Sequence, residues 1–383
     1  MMLTTWKVIV HRLHRLPVPF LLVTSALWAV PPDNTDAANS TDLTQVRTLA
    51  AQGSIRDEIT LAGDYFTGTG VKQDAEKAAY WYEKAAGHGS PEAQNEIGYF
   101  YQAGIGVPKD AQRALHWYQL AAASGCPQAK VNLAVGYLFG VGIRKDEELA
   151  VRLLNQAFQQ GNGTAGTYLG LLYFFGLAVK EDRPAGEKWF EAAEKLHDPL
   201  AAFNLGSLYS VHPDHPHDFP KAAELLGQAA DAGYVPAMHA LGLLLVNHPE
   251  LKQDTERARS LLQTAENAGS WKSSVVLGIL ARDGRGIPVD YPAAYFHLRV
   301  AALRGGADAE RITKHDLETL ATKIGADESR RQTSAANNWH QSHPITFMFV
   351  YKAGAARGAF PAAAVAYASD GSIAGQLIPL SSS

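Results

Sequence analysis

One cysteine, Cys126, stands in 383 residues. A disulfide within the chain needs two thiols and a cysteine-only zinc cluster needs several, so neither is available. Charge is sparse and balanced, with 34 Lys and Arg against 38 Asp and Glu, a net charge of −4. A general nucleic-acid binder would show a basic surplus, and a wholly disordered chain would hold far fewer apolar residues than the 46% present. The N-terminal apolar stretch, Leu16 to Val30, is interrupted by Pro17 and Pro19 and falls short of the ~20 residues that span a bilayer. His-Glu-x-x-His, Gly-x-Ser-x-Gly and Ser-x-x-Lys do not occur, which removes the common hydrolase signatures. Alanine and glycine are abundant instead, so packing here proceeds through small side chains.

Residues 1–15 carry Lys7, Arg12 and Arg15 and no acid; Leu16–Val30 follows, then polar Pro31–Thr44. A basic start, a short apolar core and a polar exit are the layout of a secretory signal peptide, placed at residues 1–30. Ala26 with Thr24 before it, or Ala29 with Leu27, offers an imperfect cleavage site, and the alternative is a tethering helix that is never removed. No cysteine lies nearby to carry a lipid anchor. The expectation is export to the periplasm or beyond, without stable membrane insertion after cleavage, and with residues 31–54 as a flexible polar lead-in.

Self-similarity organises the rest. Asp74, Asp110, Asp146, Asp182, Asp218, Asp254 and Asp290 each follow the last by 36 residues. The same step links Leu61, Ile97, Leu133, Leu169, Leu205, Leu241 and Leu277, and a small column at Ala62, Gly98, Ala134, Gly170, Gly206, Gly242 and Gly278. Tyr65, Tyr101, Tyr137, Tyr173 and Tyr209 make another column, and Ala85 to Ala301 repeats in every unit.

Each unit reads as two helices. In the second, Pro91 suits a first turn, where a missing N–H costs nothing. Ala93, Ile97, Phe100 and Tyr101 form one apolar stripe at helical spacing. Gly104-Ile105-Gly106-Val107 breaks the helix, and Asp110 is placed to cap the next, where a carboxylate accepts from free N–H groups. Ala114, Trp117, Tyr118 and Ala121 make the second stripe, and Gly125 ends it. Facing helices approach closely only where a side chain is nearly absent, which is the meaning given to the small column at Gly98.

The pattern A-x-x-x-L-G-x-x-Y, then G-x-G-V, then D-x-x-x-A-x-x-W-Y-x-x-A-A-x-x-G resembles the Sel-one-like repeat, a relative of the tetratricopeptide repeat. The resemblance implies an all-α fold: a right-handed α-solenoid of seven 36-residue helix-turn-helix units over residues 55–306, closed by a helical cap over 307–341. It also implies a non-catalytic adaptor with a protein or peptide partner and no cofactor. The fifth and sixth units depart from the pattern, with Val211–His215 and Asn247–Leu251 where the Gly-x-Gly turn belongs.

By similarity to tetratricopeptide repeats, the inner helix face of the second unit carries Asn95, Tyr99 and Gln102. Stepping by 36 gives Val131, Val135 and Leu138, then Thr167, Leu171 and Phe174, then Phe203, Ser207 and Ser210. Phe66 precedes the strip, His239 and Leu243 follow it, and Phe139 and Phe175 sit beside it. Such an apolar, aromatic strip is either an exposed trough for a protein or peptide, or core buried by curvature against the next unit.

Signals for chemistry are few. His212, His215 and His217 beside Asp214 and Asp218 could hold zinc or nickel, but read equally as a proline-stiffened turn, and no metal is assigned. Gly161-Asn162-Gly163-Thr164-Ala165-Gly166 matches a dinucleotide-binding string, yet a helix precedes it where that motif needs a strand. Trp81, Trp117 and Trp189 share a repeat column and read as packing. A branch of the resembled family is linked to β-lactam binding and hydrolysis through paired cysteines in each repeat, which this chain lacks. Cys126, in the junction before Pro127, is expected to be inert.

Beyond the repeats, Ala309, Ile312, Leu317, Leu320 and Ile324 form a stripe ended by Gly325, and Asp327 is placed to cap a further helix reaching Trp339. Ile345–Tyr351 is β-prone, and the tail over 342–383 is poor in charge and expected to be partly disordered.

Overall fold

The computed structural model describes residues 40–211, 216–248, 251 and 255–343. The expected signal peptide, the tail from residue 344, and His212 and His215 therefore lie outside the described residues. Within them every regular element is a helix.

A first helix, α1 (Ser40–Ala51), precedes seven hairpins. They pair α2 (Ile55–Thr67) with α3 (Ala75–Gly87), α4 (Pro91–Ala103) with α5 (Ala111–Ala123), and α6 (Pro127–Phe139) with α7 (Glu147–Gln159). Next come α8 (Gly163–Phe175) with α9 (Arg183–Glu194), and α10 (Pro199–Val211) with α11 (Phe219–Asp231). α12 (Val235–Asn247) pairs with α13 (Thr255–Asn267), and α14 (Trp271–Asp283) with the first half of α15 (Tyr291–Ile324). α16 (Ala326–Ser342) follows. The described residues fall into two compact units, one up to Ala201 and the other from Ala202 on.

Each recurring residue has a mechanical task. Among the described residues the aspartate column caps the second helix of the hairpin: Asp74 accepts from Lys77 N–H at 3.0 Å, Asp146 from Leu149 N–H at 2.9 Å and Asp290 from Ala293 N–H at 2.8 Å. Such a cap contributes about 1 kcal/mol. The aspartate backbone also closes the turn, since Asp110 N–H donates to Tyr101 O at 2.8 Å and Asp182 N–H to Tyr173 O at 2.8 Å. The alanine column makes the opposite joint. Cys126 N–H donates to Ala121 O at 3.0 Å, and Ser270 N–H to Ala265 O at 2.8 Å, with every member from Ala85 to Ala301 at 0% exposure.

The small column sets how closely the two helices of a hairpin meet. A Cβ on Gly98 would lie 2.8 Å from the Tyr118 ring, on Gly170 2.5 Å from Phe190, and on Gly242 2.7 Å from Leu262. The second glycine of the turn joins one hairpin to the one before it. Gly106 has φ +64, and a Cβ there would sit 2.0 Å from Ala75 O at the start of α3.

Two features differ from expectation. Residues 31–54 were expected to be flexible, but α1 forms over Ser40–Ala51, with Leu43, Val46 and Leu49 half-buried and Ala50 fully buried. Their spacing gives the segment one apolar side, and Lys84 Nζ donates to Ala50 O at 3.3 Å. The last helix begins after Gly325, with Asp327 inside its first turn and not at its cap. There the carboxylate still faces the positive end of the helix. Before it, α15 is broken at Gly306, which adopts φ 55 and ψ −148.

Candidate functional site

The inner faces of the first helices of each hairpin divide into closed and partly open positions. In the first unit Tyr99 is 1% exposed, Val135 2%, Leu138 5%, Leu171 6% and Phe174 5%. These five positions of the expected strip are packing residues. Their neighbours explain why: Tyr99 lies edge-on to Phe100, and Phe174 contacts Phe175, Phe190 and the Arg183 guanidinium. Each buried apolar side chain of this size contributes about 2 kcal/mol through removal from water.

Phe66, Phe139 and Phe175 remain half-buried. All three stand at the C-terminal ends of α2, α6 and α8, one or two residues before the left-handed glycines Gly68, Gly140 and Gly176. In the second unit Phe203 is half-buried, its ring 5.2 Å from that of Tyr234. His239 is also half-buried, with Nδ1 3.0 Å from Ser273 Oγ, which in turn donates to Ser270 Oγ at 2.9 Å.

The same faces carry buried polar residues, of which only Asn95 and Thr167 stood in the expected strip. Asp198, 5% exposed, accepts from Thr164 Oγ1 and Thr167 Oγ1 at 2.7 Å each and caps α10 through Ala201 N–H at 2.9 Å. Burial pushes its carboxyl up against the pull of these donors. Gln94, Asn95 and Glu96 on α4, and Gln128 and Asn132 on α6, are all buried. Five amides and acids interrupting two apolar stripes were the available signal.

Of the histidine cluster, only His217 and Asp218 fall among the described residues. Among the described residues no group of three or more His, Cys, Asp or Glu could hold a metal ion. His217 stacks on Phe219 at 5.6 Å, and His248 approaches the same ring at 3.7 Å. Cys126 is 7% exposed and precedes α6 without a side-chain capping bond, and burial pushes its thiol up, away from the reactive thiolate. Gly161, φ +84, ends α7, and Asn162 caps α8, so the dinucleotide-like string is a helix junction. No helix among the described residues is long and apolar enough to cross a membrane.

Comparison with known proteins agrees with this construction. The Sel1 repeat model matches residues 61–90, 91–126, 127–162, 167–198, 199–234, 235–270 and 275–306. No curated protein matches the chain. Among solved structures, a Sel1 repeat protein from Oxalobacter formigenes is 29% identical, with a TM-score of 0.50, covering 74% of this chain and 82% of its own. The protective antigen c5321 of uropathogenic Escherichia coli, which displays an SLR fold, is 23% identical with a TM-score of 0.40, covering 82% of this chain and 76% of its own. With its hairpins, caps and glycine joints matched over more than half its length, the chain belongs to the Sel1 repeat family.

Proposed function

We propose that this chain is a non-catalytic scaffold that binds a protein or peptide partner, and that it works in the cell envelope or outside the cell. Sel1 repeat proteins are typically protein-interaction scaffolds, and seven repeats give this one the surface for that role. The observation that carries the reading is the placement of Phe66, Phe139 and Phe175. Each leaves an aromatic ring partly open at the same helix end of its hairpin, while the middle of the strip is closed core. Partly open aromatic rings beside turns supply large contact area at low conformational cost. The partner then meets the hairpin ends, not the centre of the face.

Site-specific photo-crosslinking in the native cell tests this. A crosslinking residue at position 139 or 175 is expected to capture a discrete partner. The same residue at Leu120, 38% exposed on α5, is expected to capture none. Equal capture at all three positions, or none at 139 and 175, would remove the reading. The basic start and apolar core of residues 1–30 support export. Fusing them to a reporter active only outside the cytoplasm tests that part. Turnover of nitrocefin by the purified chain would overturn the non-catalytic assignment.

A further inference from the structure

A continuous chain of buried side-chain hydrogen bonds runs through the first unit. Asn162 Nδ2 donates to Gln128 Oε1 at 3.1 Å, and Gln128 Nε2 to Asn132 Oδ1 at 3.4 Å. Asn132 Nδ2 donates to Asn95 Oδ1 at 2.9 Å, and Asn95 Nδ2 to Glu96 Oε1 at 3.1 Å. None of the five residues is more than 6% exposed. The chain starts at the cap of α8, where Ala165 N–H holds Asn162 Oδ1 at 2.9 Å, crosses α6 and ends on α4. It therefore ties three successive hairpins together by groups that have no alternative partner in water.

Its last member is an acid. Glu96 receives one donor, from Asn95, and its Oε2 has no partner among the described residues. A buried carboxylate is held as an anion by several donors or by a cation. The titratable groups that face Glu96 are Glu92 on its own helix, Tyr82 on α3 and Cys126 before α6, and none of them is cationic. Burial, with a smaller contribution from the Glu92 charge, pushes the carboxyl up to about 8, and the Asn95 bond only partly opposes this.

We infer that Glu96 and its amide chain form a proton-operated lock between the second, third and fourth hairpins. Protonated, Glu96 completes the chain at no charge cost. Ionised, it draws water to its unpartnered oxygen and loosens the contact of α4 with α6. The direction follows from proton linkage. Opened to water, Glu96 returns to its ordinary value of 4.5, so between that value and about 8 the closed form holds a proton that the open form releases. The lock is at full strength below that window. It weakens about tenfold per pH unit across the window and changes no further above it.

Two measurements on the full chain test this. With glutamate carboxyls selectively labelled with carbon-13, one resonance is expected to titrate near pH 8 and to vanish in Glu96→Gln. Native-state hydrogen exchange, corrected for intrinsic chemistry, is expected to show opening of α4 and α6 rising about tenfold per pH unit from about pH 5 to about pH 8. Glu96→Gln, which keeps the shape and cannot ionise, is expected to flatten that slope. A Glu96→Gln slope equal to wild type would overturn the lock. So would finding that every glutamate carboxyl titrates below about pH 6, a result that needs no variant to fold.

Discussion

Gly170 on α8 offers a decisive test of why the small column exists. A glycine inside a helix costs about 1 kcal/mol relative to alanine, so Gly→Ala is stabilising wherever the methyl group has room. Gly63 on α2 has that room, because the nearest atom to a Cβ there is Tyr82 Oη at 3.9 Å. Gly170 does not. Its Cβ would stand 2.5 Å from Phe190 Cδ1 and 3.1 Å from Gly186 O. Phe190 is at 0% exposure and cannot swing away. Backbone is the other obstacle, since a Cβ on Gly186 would itself meet Gly170 O and Phe174 at 2.8 Å. Overpacking of this kind costs roughly 3 kcal/mol. Less the propensity gain, Gly170→Ala is expected to destabilise by about 2 kcal/mol, while Gly63→Ala stabilises by about 1 kcal/mol. Urea unfolding followed by circular dichroism reads both, with scanning calorimetry expected to place the melting temperatures on opposite sides of wild type. If Gly170→Ala proves as stabilising as Gly63→Ala, the small column is not what brings α8 against α9, and the account of helix approach fails.

Three further outcomes follow from particular residues. Ala178 and His197 adopt positive φ, 62 and 58, at positions where other units place Gly142 and Gly161. Ala178→Gly and His197→Gly are each expected to stabilise by about 1 kcal/mol in denaturant unfolding; no gain at either site would show that the left-handed backbone there is not a strain. Arg304, 1% exposed, donates to Glu266 O at 2.8 Å and His343 O at 2.6 Å and lies over the Trp339 ring at 4.4 Å. Arg304→Ala is expected to cost about 3 kcal/mol through loss of two charged-donor bonds and to raise hydrogen exchange first in α16; unchanged protection there would show that Arg304 does not hold the final helix. Arg304→Lys is expected not to restore it, because one ammonium cannot match the planar two-carbonyl reach.

The hairpins were legible because their determinants are local and periodic. Asp110, Gly106 and Ala121 each act within a few residues of themselves or at a fixed step along the chain, so their columns announce their tasks. α1 was missed because Leu43, Val46 and Ala50 lie outside the repeat, and only the presence of α2 beside them gives their stripe something to cover. The inner strip was half legible. Sequence placed Tyr99, Val135, Leu138, Leu171 and Phe174 on one face, but whether a face is trough or core depends on the angle between successive hairpins, and that angle is set by contacts such as Gly106 on Ala75, where no column records a distance.

The two chemical natures of that face bear on each other. Closing the strip removes Tyr99 and Phe174 from any partner, yet the same closure buries Asn95, Asn132 and Gln128, which must then satisfy one another. Apolar packing tolerates small slips between hairpins, because one methyl contact replaces another. A hydrogen-bond chain does not: moving α6 by one ångström along α4 would break the 2.9 Å bond from Asn132 to Asn95 and leave the Asn132 Nδ2 donor and the Asn95 Oδ1 acceptor buried and unpaired, at about 1–3 kcal/mol each. The polar chain therefore supplies register where the apolar core supplies adhesion. Within the three hairpins the chain joins, register is what fixes the spacing of Phe139 and Phe175. A protonation change at Glu96 would be felt there as a loss of that spacing, without either ring being touched.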